Sequence, residues 1–288
     1  MSTNPKVVLI TGASSGLGRA TARLLAERGY RVFGTSRRPP ADAPTGGVEP
    51  LALDVCADAS VAACVQTVLA RAGRIDALIN NAGYELGGAL EEATLEEAQR
   101  QFETNFFGAV RMIRAVLPAM RRQGGGRIVN VSSLAGLAPV PFLGLYSASK
   151  FALEGYSEAL RHEVAPFNVK VSLIEPGFLA TALAHNRQQP AARIRDYDPW
   201  RERVLAALRG FENAAPAPTL AAAAILHALE SRAPRLRYVA GKDARRVARL
   251  RRLLPQGLFE RGTRSHFGLN GRAANPPREP GAAVARRS

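Results

Sequence analysis

In the stretch YSASK, residues 146–150, a tyrosine and a lysine stand four positions apart with only small residues between them. On a helix that spacing puts Tyr146 and Lys150 on one face, one turn apart. The polar edge of a surface helix has this pattern, and so does a phenol whose acidity is tuned by a neighbouring ammonium. A free phenol titrates near ~10, too high for a good base at neutral pH. An ammonium ~4 Å from the phenolate contributes roughly 4 kcal/mol at an effective dielectric of about 20. At ~1.4 kcal/mol per tenfold change in acidity, the phenol's pKa would fall by up to about three before desolvation subtracts.

A second chemical signal is TGASSGLG, residues 11–18, directly after an apolar run and at the start of a helical pattern. A glycine-rich strand-to-helix turn lets backbone N–H groups and the positive end of a helix approach a pyrophosphate. The residues this places near a dinucleotide are Gly12, Ser14, Ser15, Gly16, Leu17 and Gly18. The same letters contain G-x-S-x-G, the pattern of a hydrolase nucleophile elbow. That chemistry needs an acid and a histidine later in the chain. His162 falls inside a helical pattern, and His185, His227 and His266 have no motif around them.

The second apolar run ends in TSRRP. Folds that select NAD usually carry a carboxylate near this point for the ribose 2′-hydroxyl. Here stand Ser36 and Arg37, followed by Arg38. A guanidinium pairs with a 2′-phosphate through two parallel hydrogen bonds, so NADP(H) is the expected cofactor, while a solvated basic turn would also explain Arg38. Asp54 and Val55 close a third run, and Asn81, Ala82 and Gly83 follow a fourth. Ligands of open α/β sheets bind at that carboxyl edge, where Asp54 could accept from an adenine amino group.

These residues need a frame to bring them together. The runs 6–11, 31–36, 50–55, 76–81, 127–132 and 170–175 are apolar on both faces and read as strands of a covered parallel sheet. Helical patterns at 17–28, 58–72, 94–121 and 146–165 alternate with them. The alternation predicts an α/β fold, a doubly wound parallel sheet of Rossmann type. A seventh strand is expected at 236–241, after a helix at 219–231. Residues 178–217 fit no sheet element, and their scattered apolar side chains suit a lid over a site. The expected organisation is one domain over 1–269 with that lid, then a basic, disordered tail over 270–288.

Composition narrows the alternatives. The net charge of +15 would suggest a nucleic-acid binder if it covered a folded face. Instead, residues 232–288 hold 15 Lys/Arg against 3 Asp/Glu, a surplus of 12, leaving a surplus of 3 in the first 231 residues. No nucleic-acid partner is expected, and a solvated tail and an anionic partner of that tail are the two readings of the surplus. No apolar run approaches the roughly 18–20 residues of a membrane span. The two cysteines, Cys56 and Cys64, read as reduced core or helix residues of a cytoplasmic protein. No histidine falls in a metal-ligand spacing, so no metal is expected.

Taken together, TGASSGLG, NNAG, the asparagine of TNFFG, Ser133, YSASK and PGFLAT occur in one order with one spacing. The chain resembles the short-chain dehydrogenase/reductase family from about Lys6 to Thr181. Through YSASKFALEGYSEALRHEV it is most similar to the branch of 17β-hydroxysteroid and retinol dehydrogenases. The resemblance implies a catalytic set of Asn105, Ser133, Tyr146 and Lys150, with Ser133 chosen over Ser132 because it lies 13 residues before the tyrosine. Tyr146 would be the acid/base, Ser133 would bind the substrate oxygen, and Lys150 would also hold the nicotinamide ribose. Asn105 would hold a water linking Lys150 to solvent. Pro176, Gly177, Phe178 and Thr181 match the segment bordering the nicotinamide. The expected activity is an NADP(H)-dependent conversion between a small hydrophobic alcohol and its ketone or aldehyde. Tyr84, Leu86, Val140, Phe142, Leu143 and Phe178 are the pocket candidates. The family also implies a homodimer or homotetramer packed through the helices at 94–121 and 146–165. A cofactor-binding sensor without turnover is the alternative, and it would need no proton donor.

Overall fold

The computed structural model describes residues 5–39, 46–181, 183 and 186–271. Seven strands form one sheet: β1 (Val7–Ile10), β2 (Arg31–Ser36), β3 (Val48–Ala52), β4 (Ala77–Asn80), β5 (Gly126–Val131), β6 (Val169–Pro176) and β7 (Arg237–Ala240). Their spatial order is β3-β2-β1-β4-β5-β6-β7, and every pairing is parallel. The order reverses between β1 and β4, so the connections leaving these strands go to opposite faces and open a crevice at their carboxyl ends. Ile10 lies in register with both Gly34 of β2 and Ile79 of β4, which brings the ends of three strands to one edge.

Each face of the sheet is covered, as the doubly apolar strands require. Helix α1 (Gly16–Glu27) and helix α7 (Thr219–Glu230) bury Leu25, Ile225 and Leu229 against Val8, Ile10 and Ile79. On the other face, α2 (Asp58–Ala72), α4 (Gly108–Arg122) and α5 (Gly144–Glu163) bury Val68, Met112, Ile113 and Leu160 against Leu9, Leu78 and Ile128.

The helical pattern at 94–121 is one rod in sequence but two helices in space. Helix α3 (Leu95–Phe102) passes through a π turn (Glu103–Phe107) into α4. The turn is pinned from both sides. The Asn105 side chain bonds the Tyr84 backbone, and Gly108 is so close to Val55 that a Cβ there would stand 2.7 Å from its Cγ2. Neither contact leaves a mark in the periodicity.

Two further departures concern regions with weak apolar patterns. Within 178–217, α6 (Asp198–Asn213) buries Val204 and Leu208 in a third cluster with Leu143, Tyr146 and Phe267. The basic stretch after β7 is helical, as α8 (Lys242–Leu253) and α9 (Gln256–His266). Among the residues of these two helices, Ala244 alone is buried, so no apolar stripe announces them. The expected tail beyond residue 271 lies outside the described residues.

Candidate functional site

The glycine-rich turn of residues 11–18 is braced by the protein's own hydrogen bonds. Thr11 Oγ1 accepts from the Asn81 and Ala82 N–H groups at 2.9 and 3.0 Å, and Asn81 Nδ2 donates to the Thr11 and Gly12 carbonyls, both at 3.0 Å. TGASSGLG and NNAG thus hold each other across the β1–β4 crevice. Gly12 has φ +68° and Gly16 φ +52°, the left-handed region that glycine reaches without strain. The first turn of α1 contains no acidic residue, and the Ser15 side chain caps none of its N–H groups. Those donors and the helix's positive end are what a pyrophosphate would meet. The residues present therefore fit a dinucleotide.

A cleft of about 1140 Å³ runs along the carboxyl edge of the sheet. Of the residues expected to bind the cofactor, all but one line it: Gly12, Ser14, Ser15, Gly16, Leu17, Ser36, Arg37, Asp54, Val55, Asn81, Ala82, Gly83, Tyr146, Lys150, Pro176, Gly177, Phe178 and Thr181. Gly18 does not reach the cleft. It lies behind the turn, where a Cβ would stand 2.2 Å from the Gly12 carbonyl oxygen, so its role is to let α1 pack on its own entry loop. Arg37 faces the cleft and Arg38 does not. Among the pocket candidates Tyr84, Val140, Leu143 and Phe178 line the cleft, whereas Leu86 and Phe142 do not. Leu86 is instead buried beside Gln188 in a parallel bridge, and Phe142 turns edge-on to Tyr197. Cys56 is neither core nor helix: it is exposed on the loop after β3, its Sγ 3.4 Å from Thr104 Oγ1.

Tyr146 and Lys150 enter on the first two turns of α5, and Ser133 follows β5 and caps a short 3-10 turn (Leu134–Gly136). All three line the cleft. The Lys150 ammonium donates to the Val131 carbonyl at 2.8 Å and lies 5.7 Å from the centre of the Tyr146 ring. Burial dominates both groups. It pushes the phenol above its ordinary value, Glu85 pushes the same way, and the Ser133 hydroxyl and Arg187 pull back. Burial also brings Lys150 down to about 8 against the pull of Glu85 and Glu154. The expected drop in the phenol's pKa is absent from this arrangement, because desolvation exceeds the pull of Ser133 and Arg187.

Asn105 lies off the cleft. Its amide donates to the Tyr84 carbonyl (3.0 Å) and Ser149 Oγ (3.1 Å), and its Oδ1 accepts from the Tyr84 N–H (3.0 Å). The side chain is thereby engaged in holding the loop that presents Tyr84 and Glu85.

Two charged groups beside the site have no motif. Arg187, in the segment between β6 and α6, reaches Glu85 at 2.8 Å and Glu212 at 2.5 Å, and all three side chains are largely buried. Around them the backbone is clasped: Gly87 N–H donates to Gln188 O, and Gln188 N–H to Glu85 O, both at 2.9 Å. Behind Ser132, Glu154 and Glu175 converge on Arg237, whose Nε stands 3.0 and 3.3 Å from them. Burial and the neighbouring Glu154 carboxylate raise the proton affinity of Glu175, which is fully buried. Because its pKa is higher folded than unfolded, its contribution is full below its ordinary value of 4.5 and is lost as pH rises through the folded value. Glu175→Gln, which keeps the shape of the neutral acid, is expected to leave thermal stability unchanged below pH 4.5. It should exceed the natural protein progressively above that; parallel Tm–pH curves would exclude a proton held at Glu175.

The family model for short chain dehydrogenases matches residues 6–192. The chain belongs to that family. This short-chain dehydrogenase is 52% identical over 183 residues to a 3-ketodihydrosphingosine reductase of Bacteroides thetaiotaomicron, covering 64% of this chain and 67% of that one. It is 40% identical over 257 residues to bovine retinol dehydrogenase 8, covering 82% of each. Among solved structures, a Burkholderia cenocepacia short chain dehydrogenase in complex with NADP superimposes with TM-score 0.72 at 30% identity, covering 91% of this chain and 98% of that one. One from Burkholderia phymatum in complex with NAD gives 0.75 at 26%, covering 96% and 99%. The chain is therefore an oxidoreductase of the short-chain dehydrogenase family with a Rossmann-type sheet, and similar structures carry NADP or NAD. No described helix is long and apolar enough to cross a membrane, and no described cluster of His, Cys, Asp or Glu could hold a metal ion.

Proposed function

We propose that this short-chain dehydrogenase is an NADP(H)-dependent oxidoreductase that interconverts a hydrophobic alcohol and its ketone or aldehyde. The observation that carries the reading is the single cleft shared by the phosphate turn, Arg37 and the Ser133–Tyr146–Lys150 set. When bound, NADP(H) would donate or accept the hydride. Tyr146 Oη gives a proton to the carbonyl oxygen during reduction and takes one from the hydroxyl during oxidation. Ser133 Oγ donates a hydrogen bond to the same oxygen and steadies the charge on it. Lys150, one turn away, sets an ammonium beside the phenol, a pull on the phenolate that opposes the burial raising its pKa. The apolar wall of Val140, Leu143, Phe178 and Leu179 suits a lipid-sized substrate, as do the names of the relatives. Exposed Phe107 and Phe151, on the two helices expected to form a subunit interface, support a homo-oligomer. The exposed, free thiol of Cys56 supports a reducing cytoplasm.

A screen of NADPH consumption over long-chain ketones and aldehydes tests the activity; an absence of turnover despite NADPH binding would favour a sensor. Arg37→Asp tests the cofactor. Losing a charge-assisted pair and gaining a repulsive carboxylate should lower the NADPH over NADH ratio of kcat/KM by about 10–100-fold. An unchanged ratio would place Arg37 away from the 2′-phosphate.

A further inference from the structure

Helices α8 and α9 carry a surface that the oxidoreductase chemistry does not use. Residues 242–266 contain eight Lys/Arg against Asp243 and Glu260. On α8, Lys242, Arg246, Arg249 and Leu253 recur at i, i+4, i+7 and i+11, which is one helical stripe, and all four are exposed. The buried Ala244 lies on the opposite side. Leucines are set among these cations rather than turned away from water. Leu253 is 76% exposed and Leu258, on the next helix, is 50% exposed, with Leu250 and Leu254 beside them. Among ion pairs of the described residues, these two helices contribute only Arg264–Glu260, at 3.9 Å.

A cationic face with protruding leucines matches an interface that is anionic at its surface and apolar just beneath. A second copy of the chain would bring the same positive charge to the contact. A nucleic acid would neutralise the arginines but offer the leucines nothing. We propose that α8 and α9 dock this protein on the surface of an anionic phospholipid bilayer, without crossing it. The position is also apt. α9 runs into His266, which stacks on Phe211 at 4.8 Å, and Phe211 lies 5.2 Å from Phe178 on the cleft wall. At the other end, Asp243 accepts from the Phe178 N–H at 3.1 Å. The docking face therefore adjoins the apolar end of the cleft; that it would shorten a lipid substrate's path from bilayer to site rests on the hydrophobic-substrate reading, whereas docking itself does not.

Vesicle co-sedimentation of the full chain, with no cofactor or substrate added, tests the proposal separately from the activity. Binding is expected to vesicles of phosphatidylcholine with phosphatidylglycerol, much less to phosphatidylcholine alone, and to fall with added salt. Leu253→Glu with Leu258→Glu should weaken it by about tenfold or more. Arg246→Gln and Arg249→Gln should each weaken it about fivefold. These side chains are exposed, so NADPH binding by the variants reports an intact fold. No binding to anionic vesicles at low salt overturns the proposal. So does equal binding to neutral vesicles, or leucine variants that bind as the natural chain does.

Discussion

Tyr146→Phe is expected to lower kcat by about 10²–10⁴-fold, the range that a positioned acid/base contributes, while NADPH binding stays largely intact. The substitution removes one oxygen from a side chain that is buried at the head of α5 and belongs to the cluster of Leu143, Val204 and Leu208. The ring and its packing survive. What is lost is the phenol beside Ser133 and Lys150; the other tyrosine that lines the cleft among the described residues, Tyr84, belongs to the loop after β4. Fluorescence titration with NADPH separates the two effects. A variant that still turns over would transfer the proton step elsewhere and sink the assignment. Equal loss of binding and turnover would mean that Tyr146 is structural.

Arg187→Ala is expected to destabilise the protein by about 3–5 kcal/mol, because it leaves two buried carboxylates without their cation. Burial already raises Glu85, and Arg187 is the largest influence holding it down. Without the guanidinium Glu85 takes up a proton or the segment around Arg187 shifts, and either change reaches the site, since both Glu85 and Arg187 act on Tyr146. Thermal unfolding measures the loss. The triple variant Arg187→Ala, Glu85→Gln, Glu212→Gln distinguishes the causes: with the carboxylates neutralised, most of the stability should return. If the single and triple variants melt together, the guanidinium matters through its packing rather than its charge.

How far the sequence foretold the site depended on how local each part is. The turn of residues 11–18, the NNAG segment and YSASK are contiguous, and a short chain segment carries both their geometry and their chemistry. The central strands were legible because both faces are buried. The half-buried edge strand β3 was less legible: it spans Val48–Ala52 rather than 50–55. Glu85–Arg187 could not be read, because the partners lie 102 positions apart and only the fold brings them together. Glu154 and Glu175 were hidden for the same reason, one on a helix and one on a strand that meet only in the folded core. The Tyr146–Lys150 spacing specifies geometry but not energetics, since burial leaves no trace in a four-residue interval. Helices α8 and α9 are not legible in the sequence because it follows charge rather than an apolar stripe there.

The π turn between α3 and α4 gives this part of the chain an unequal tolerance to changes in length. A residue added or removed in an α-helix turns everything beyond it by about 100°. At residues 103–107 the turn sets the phase between two jobs. On one side, Gln101 and Asn105 grip the Tyr84 backbone, and Glu97 accepts from the Ala191 N–H at 2.9 Å. On the other, Met112, Ile113 and Val116 face the sheet. Loss of one residue here would yield a more regular helix and a worse protein, because loop and sheet could no longer both be met. Conformity to ideal helical geometry is therefore the wrong guide for redesigning this segment: its irregularity is the joint that lets one rod serve two surfaces.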